Sequence, residues 1–425
     1  MSFDPVVISI SVLAFVFFGS FLASVILLSR KYLVDNRPCE IKINDNDDIS
    51  FKAPGGTTLL NALLSQGIAV PSPCGGKATC KQCKVRILEG GGPVLDVDKA
   101  TFTQKQIDAG WKLSCQCKVK NDVKIHVEEE YLDVEEFEGE VVSNENVATF
   151  IKELVVKVKK KIDYRAGAYL QFHVPAYNTN TTDWKETMAK QYYSDWEYFK
   201  MFDIQVDQSG LSGDDIRAYS MASHPKETLL LFNIRIATPP FEGKEPSKKI
   251  PWGLCSTYTF SLKKGDKVRL SGPYGESYMI NDEREVIFLI GGAGSSFGRA
   301  HILHLFDVEK TKRKVSMWYG ARSLKENIYE KEYKTLGKKN KNFEYNLVLS
   351  NPLKEDIDAG WPTDDPVKTN FVFKAFEIGK LSKMEEPEEA LFYVCGPPMH
   401  NQSVMELLDN YGVPRSSIIL DDFGS

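Results

Sequence analysis

From Val6 to Leu28 no side chain carries a charge. At about 1.5 Å per residue a helix of that length reaches roughly 34 Å, enough to cross a hydrocarbon core. The pattern therefore predicts one transmembrane helix. A cleavable leader would begin with basic residues and hold a shorter apolar run. Here only Asp4 precedes the span, while Arg30, Lys31 and Arg37 follow it. That positive flank predicts an N-terminus outside the cytoplasmic membrane and the remaining chain in the cytoplasm.

Past a short linker the period changes. Cys39 to Ile43 and Ile49 to Ala53 read as paired strands around the turn-rich Asn44-Asp45-Asn46-Asp47-Asp48. Leu59, Leu60, Leu63 and Leu64 fall at helical spacing behind a Thr57 or Thr58 cap. Lys84 to Leu88 reads as a strand, Thr103 to Ala109 as a helix, the stretch holding Cys115 as a strand, and Asp122 to Val127 as the last strand. The acidic run Glu128, Glu129, Glu130, Asp133, Glu135, Glu136 and Glu138 reads as a solvated linker. Alternation in Val141 to Val142, Phe150 to Val158, Tyr169 to Val174 and Leu229 to Ile236 then predicts an antiparallel β-domain. From Glu285 onward, apolar strands Val286 to Ile290, Val315 to Tyr319 and Leu391 to Val394 alternate with helical stretches, as in a doubly wound α/β domain.

Composition narrows the function without naming it. The 425 residues suffice for two to four domains. A net charge of −5 gives nucleic-acid binding no electrostatic support. Eight cysteines in this length do not make a disulfide scaffold, and Cys39, Cys255 and Cys395 are scattered singly. His301 and His304 sit i, i+3 without a carboxylate companion, and the other four histidines are isolated, so none reads as a metal ligand.

Four cysteines stand apart. Cys74, Cys80, Cys83 and Cys115 are spaced C-x5-C-x2-C-x31-C. A [2Fe-2S] cluster takes two thiolates on each iron, and three ligands in one loop with a distant fourth supply them. Gly75, Gly76 and Ala78 let the backbone wrap closely and turn N–H groups toward the sulfides. Structural zinc is the rival, but it usually takes two C-x2-C pairs, and only Cys80-x2-Cys83 is present. Cys117 reads as a packed neighbour of Cys115 in an extended stretch. The order of hairpin, helix, cluster loop and returning strands resembles the β-grasp ferredoxin fold, although plant-type ferredoxins have C-x4-C-x2-C.

Within the β-domain, Arg217-Ala218-Tyr219-Ser220 precedes Gly253-Leu254-Cys255-Ser256-Thr257. The pair resembles the R-x-Y-S and G-x-C-S motifs of the ferredoxin-NADP reductase family. That resemblance implies an FAD-binding β-barrel. Arg217 would neutralise the flavin pyrophosphate, Tyr219 would stack on the ring and Ser220 would hydrogen-bond its edge. Gly253, Cys255, Ser256 and Thr257 would offer hydroxyls and N–H groups to phosphate at a helix start. Gly291, Gly292 and Gly294 follow an apolar strand directly, a turn that admits a dinucleotide. By the same resemblance Ala321, Arg322 and Ser323 would meet the adenosine half of NADH. Cys395 and Gly396 would lie beside the nicotinamide, and Phe423 would cover the flavin until nicotinamide displaces it. Tyr219, Ser220, Cys395 and Phe423 are thus the expected catalytic set. One departure is clear: the family commonly follows G-G-x-G with a bulky apolar residue, a small residue and Pro, whereas Ser295, Ser296, Phe297 and Gly298 stand here.

The membrane helix, the aromatic insertion from Tyr177 to Phe202 and the tail Asp421-Asp422-Phe423-Gly424 complete a closer resemblance, to the F subunits of bacterial Na+-translocating NADH:quinone oxidoreductases. It implies an anchor and linker over 1–35, a [2Fe-2S] domain over 36–130, an FAD-binding barrel over 131–280 with insertion 177–202, and an NADH domain over 281–425. It also implies hydride transfer from NADH to FAD, single electrons to the cluster, and delivery to membrane partner subunits and quinone in the bacterial inner membrane. One helix without intramembrane charge offers no ion path of its own. The insertion is either a docking face or a lid over its own barrel. A membrane-tethered oxygenase or ferredoxin reductase and a nucleotide-binding redox adapter are the other readings. NADH over NADPH rests on the resemblance, since Arg322 has the charge to meet a 2′-phosphate.

Overall fold

The computed structural model describes residues 13–25, 37–68, 70–72, 74–128, 131–132, 134–211, 213, 215–275 and 277–422. The chain divides into two compact units, Met1–Val70 with Lys81–Asp133, and Pro71–Cys80 with Val134–Ser425. The loop that carries Cys74 and Cys80 thus groups with the second unit, while Cys83 and Cys115 belong to the first.

In the first unit, residues 13–25 are helical, with Phe15, Phe17, Phe18 and Phe21 exposed. No helix of the described residues is long and apolar enough to cross a membrane. The rest of the expected span, 6–12 and 26–28, lies outside the described residues. Strands β1 (Pro38–Ile43), β2 (Asn46–Pro54), β3 (Lys84–Glu89), β4 (Trp111–Leu113) and β5 (Val123–His126) form one sheet in the order β2-β1-β5-β3-β4. Only the β1/β5 pair is parallel. The helix Leu59–Leu64 buries Leu59, Leu60 and Leu63, and the Asn61 N–H donates to the Thr58 hydroxyl at 3.2 Å, which caps its free end. Cys115 does not continue a strand as its surroundings suggested. β4 ends at Leu113, and the Cys117 N–H turns back to the Leu113 and Ser114 carbonyls. Asp98 explains the stop: its buried carboxylate accepts from the N–H groups of Leu95 and Leu113 and ties the loop to the strand.

The second unit holds two principal sheets. Strands β6 (Glu136–Ala148), β7 (Ile151–Val158), β8 (Tyr169–Val174), β9 (Tyr177–Asn180), β10 (Gln205–Gln208), β11 (Asp215–Ser220), β12 (Leu230–Arg235), β13 (Phe241–Glu242), β14 (Glu245–Pro246) and β15 (Lys267–Tyr274) come first. Six of them make an antiparallel sheet in the order β11-β8-β15-β6-β7-β12. Its two edges approach at a bridge between Met221 and Phe232. The end of the acidic run is therefore strand rather than linker. In β6, Glu138 and Glu140 lie beside Lys267 of β15, and Glu136 lies beside Arg269, so cross-strand charge pairs favour pairing there.

Strands β16 (Val286–Gly291), β17 (Val315–Ala321), β18 (Phe343–Leu349), β19 (Leu391–Cys395) and β20 (Ile418–Leu420) form a parallel sheet in the order β18-β17-β16-β19-β20. β16 and β19 are buried throughout, as a sheet covered on both faces requires. The order reverses between β16 and β19, which makes their carboxyl ends the switch point.

Insertion 177–202 is a lid on its own chain. Trp184, Tyr192 and Trp196 are buried in the core of the antiparallel sheet, Trp184 meets Phe260 edge-on at 5.5 Å, and the Trp196 indole N–H donates to the Thr149 carbonyl at 2.7 Å. It also reaches the dinucleotide side, where Asp195 pairs with Lys325.

Candidate functional site

In the cluster loop, Gly75, Gly76 and Ala78 all have φ between 63° and 83°, the left-handed region that turns successive N–H groups inward. The Cys74 and Cys80 sulfurs lie 3.2 Å apart. The neighbouring Cys80 thiol outweighs burial and, helped by its backbone, Thr79 and Lys77, brings Cys74 down to about 4. A thiolate is the form that ligates iron. Among the described residues no three His, Cys, Asp or Glu side chains converge on one metal-ion position. A two-iron cluster asks only for pairs. In the first unit, Cys83 and Cys115 are buried, and the Ser114 N–H donates to the Cys83 carbonyl at 2.8 Å. Burial pushes the Cys117 thiol up, in keeping with a packing role.

The flavin motifs meet in the second unit. Arg217 and Tyr219 alternate on one face of β11, and both act electrostatically on Cys255, the second residue of the helix Leu254–Ser261. No side chain caps that helix. Its first N–H groups therefore lack an intrahelical partner. Ser256 braces the turn, donating to the Gly253 carbonyl and accepting from the Ala237 N–H, both at 3.1 Å. Gly253 has to be glycine here, because a Cβ would stand 2.5 Å from that of Ala237. An uncapped helix start with a guanidinium beside it suits a pyrophosphate. Arg217 also lies against the cluster loop: a Cβ on Gly75 would be 2.2 Å from its Nη1.

The nucleotide motifs meet at the switch point. Ile290 is in register with both Tyr319 and Cys395, so Gly291, Ala321 and Cys395 end their strands at one edge. Gly294 packs so closely on Cys395 that a Cβ would stand 2.4 Å from its carbonyl oxygen. Gly396 is equally confined by His400. Arg322 is exposed and Ser323 buried; the Ala321 and Arg322 carbonyls accept from the N–H groups of Ser350 and Asn351, both at 2.9 Å. Phe423 lies outside the described residues.

Ser220 joins the two halves. Its hydroxyl donates to Asp421 at 3.1 Å, and the Asp421 N–H donates to the Val394 carbonyl of β19 at 3.0 Å. Burial pushes the Asp421 carboxyl up to about 7, opposed by the Ser220 hydrogen bond and aided by Asp422. Burial also raises the Cys395 thiol, with Asp421 and Asp422 adding to the rise. Sequence reasoning gave Asp421 no role, because its partner is 201 residues away. Two clefts, of about 680 and 580 Å³, open around Arg165 and Arg313 and around Lys200 and Trp252. Neither is lined by Tyr219, Ser220 or Cys395, so concavity alone does not find this chemistry.

Residues 41–120 match the 2Fe-2S iron-sulfur cluster binding domain, and residues 288–405 the oxidoreductase NAD-binding domain. In fold the chain is similar to the Amycolatopsis cytochrome P450 reductase GcoB, with a TM-score of 0.59 and 17% identity over 91% of this chain and 98% of that one. The ferredoxin reductase in carbazole 1,9a-dioxygenase gives 0.57 and 20% over the same shares. In sequence it is similar to the F subunit of the Na(+)-translocating NADH-quinone reductase of Chlamydia pneumoniae, 58% identical over 98% of each chain. That of Psychrobacter cryohalolentis is 42% identical over 95% of each. Likeness of this extent takes in the cluster loop and both nucleotide motifs alike, and the chain belongs to the family of F subunits of the Na(+)-translocating NADH-quinone reductase.

Proposed function

We infer that this chain is the NADH-oxidising subunit of a membrane Na+-translocating NADH:quinone reductase. The observation that carries the reading is the Ser220–Asp421 hydrogen bond, which ties the flavin motif to the strand end bearing Cys395. When bound, FAD takes a hydride from NADH and gives electrons up singly, and a [2Fe-2S] cluster carries them one at a time. Arg217 and the start of the Leu254–Ser261 helix bind the pyrophosphate; Gly253, Cys255, Ser256 and Thr257 shape that start. Tyr219 would stack on the ring, and Ser220, oriented by Asp421, would hydrogen-bond its edge. Gly291, Gly292 and Gly294 would admit the dinucleotide, Ala321, Arg322 and Ser323 would hold its adenosine half, Cys395 and Gly396 would face the nicotinamide, and by the family resemblance Phe423 would cover the ring. Cys74, Cys80, Cys83 and Cys115 would supply the four thiolates that a [2Fe-2S] cluster takes.

The domains divide as 36–130, 131–280 and 281–425, the middle one a barrel, behind a single transmembrane anchor within 1–35. Exposed Phe15, Phe17, Phe18 and Phe21 support an anchor, since so many aromatic side chains on one short helix ask for apolar surroundings. The N-terminus faces outward and the other domains lie on the cytoplasmic side. Electrons leave for other membrane subunits and, through them, quinone. Anaerobic mixing with NADH tests the core of this reading: flavin absorbance should bleach rapidly, and a flavin that stays oxidised sinks it. Purification from membranes tests the rest, because a lone protein without sodium-stimulated quinone reduction contradicts the assembly.

A further inference from the structure

The turn that departs from the family pattern is built into a hydrogen-bonded seam. β12 ends its sheet, and the N–H of Asn233 on that strand donates to Ser296 Oγ at 2.9 Å. The Asn233 side chain sits between Ser295 Oγ and the Tyr329 hydroxyl, 2.9 Å from each, and Tyr329 in turn touches Glu153, which faces Asn233 across the β7/β12 pair. The proton inventory orients the group. A tyrosine hydroxyl has one hydrogen, and the carboxylate can only accept it. The Asn233 amide N–H donates to Ser295 Oγ, and the Tyr329 hydroxyl has two acceptors for its one hydrogen, the Glu153 carboxylate and the Asn233 amide oxygen. The hydrogen bonds thus run unbroken from Glu153 on the antiparallel sheet to Ser295 at the dinucleotide turn. Tyr329 is held at φ 62°, a left-handed conformation that costs a bulky residue energy. Arg299, four residues past Ser295, closes the seam on its other side. It donates to Glu227, Glu332 and the Ala222 carbonyl, the last just beyond the flavin motif, and its guanidinium stacks on the Tyr329 ring.

We propose that Asn233 is a positioning residue for hydride transfer: through Ser295, Ser296 and Tyr329 it sets where the dinucleotide turn stands relative to the flavin-binding strands. Ser295 and Ser296 replace the apolar pattern because here the turn is held by hydrogen bonds to Asn233. The inference rests on the proposed NADH-to-flavin reaction, in which a hydride leaves the dihydronicotinamide ring with both electrons of its C–H bond, forms an N–H bond on the flavin and leaves NAD+. Misplacement on the order of 1 Å costs such a step about 100-fold.

The test uses the full chain loaded with FAD, as Asn233→Ala and, should that variant fold poorly, as Tyr329→Phe, which keeps the ring but removes the hydroxyl. Anaerobic stopped flow should show flavin reduction slowed roughly 10- to 100-fold at saturating NADH, with NADH affinity changed less than about threefold. The long-wavelength charge-transfer absorbance of the nicotinamide–flavin complex should weaken, and the deuterium isotope effect with 4-deuterated NADH should rise. A merely structural role would lower the melting temperature and flavin content while leaving the absorbance per bound flavin unchanged. Flavin reduction and charge-transfer absorbance at wild-type levels in a folded, flavin-loaded variant overturn the proposal. Failure of the wild type to be reduced would instead overturn the underlying reaction.

Discussion

Asp421 sits where a charge matters most, buried beside Cys395 and hydrogen-bonded to Ser220. Its carboxyl is neutral below about 7 and ionised above. An ionised Asp421 opposes the arrival of a hydride's negative charge, so flavin reduction by NADH should slow as pH rises through about 7. The expected fall is about tenfold, or about 1.4 kcal/mol in the barrier. Asp421→Asn keeps a partner for Ser220 and cannot ionise; its pH profile, followed by anaerobic stopped flow, should be flat across that range. Stability follows the same sign. The folded carboxyl titrates at about 7 against 3.8 for an ordinary aspartate, so the folded state holds the proton longer, and stability falls as pH rises between those values. The asparagine variant should therefore melt higher than wild type at about pH 8. A wild-type pH profile in Asp421→Asn would remove this residue from the chemistry. The cysteines proposed as ligands stand out in the sequence because three of them share one loop, whereas Asp421 meets a partner that only the sheet order brings near.

At the scale of elements, periodicity located the strands that bury a face at its own period: β7, β8, β12, β16, β17 and β19 stand where alternation or apolar runs put them, whereas β9, β10, β15, β18 and β20 were not read. It missed where charge pairing overrides polarity, as in Glu136 and Glu138 of β6, and where a buried carboxylate ends a strand, as Asp98 does before Cys115. The insertion's role was equally hidden, since an aromatic-rich stretch reads alike as an interface or a lid. Its burial in the chain's own core makes a stability prediction. Trp196→Ala removes a fully buried ring and one of the two hydrogen bonds to the Thr149 carbonyl, leaving only that from the Asn146 amide. Truncating a buried tryptophan costs about 3–5 kcal/mol. Thr149 also holds Glu326 on the dinucleotide side through its N–H at 3.0 Å. Denaturant unfolding should thus show a midpoint lowered by that equivalent, with weaker NADH binding alongside. An unchanged midpoint would mean that the lid packs without contributing stability.

Across the whole molecule the chemistry divides into a part that takes hydride and a part that passes electrons on. The residues proposed for the first, Arg217, Tyr219, Ser220, Cys255, Gly294, Cys395 and Asp421, all lie in one compact unit. The second is proposed to need the thiolates of Cys74, Cys80, Cys83 and Cys115. Removing one ligand should therefore abolish only the second function. Cys83→Ala leaves one iron with a single cysteine, and a [2Fe-2S] cluster short of a thiolate is not expected to assemble. The substituted position is buried within the first unit, far in sequence from every flavin and nicotinamide motif. In membranes carrying the variant, NADH oxidation with an artificial acceptor that draws directly on flavin should continue near the wild-type rate. Quinone reduction should disappear along with the electron paramagnetic resonance signal of the reduced cluster. Loss of both activities in a folded, flavin-loaded variant would contradict the division, and retained quinone reduction without a cluster signal would show that electrons leave the flavin by another route.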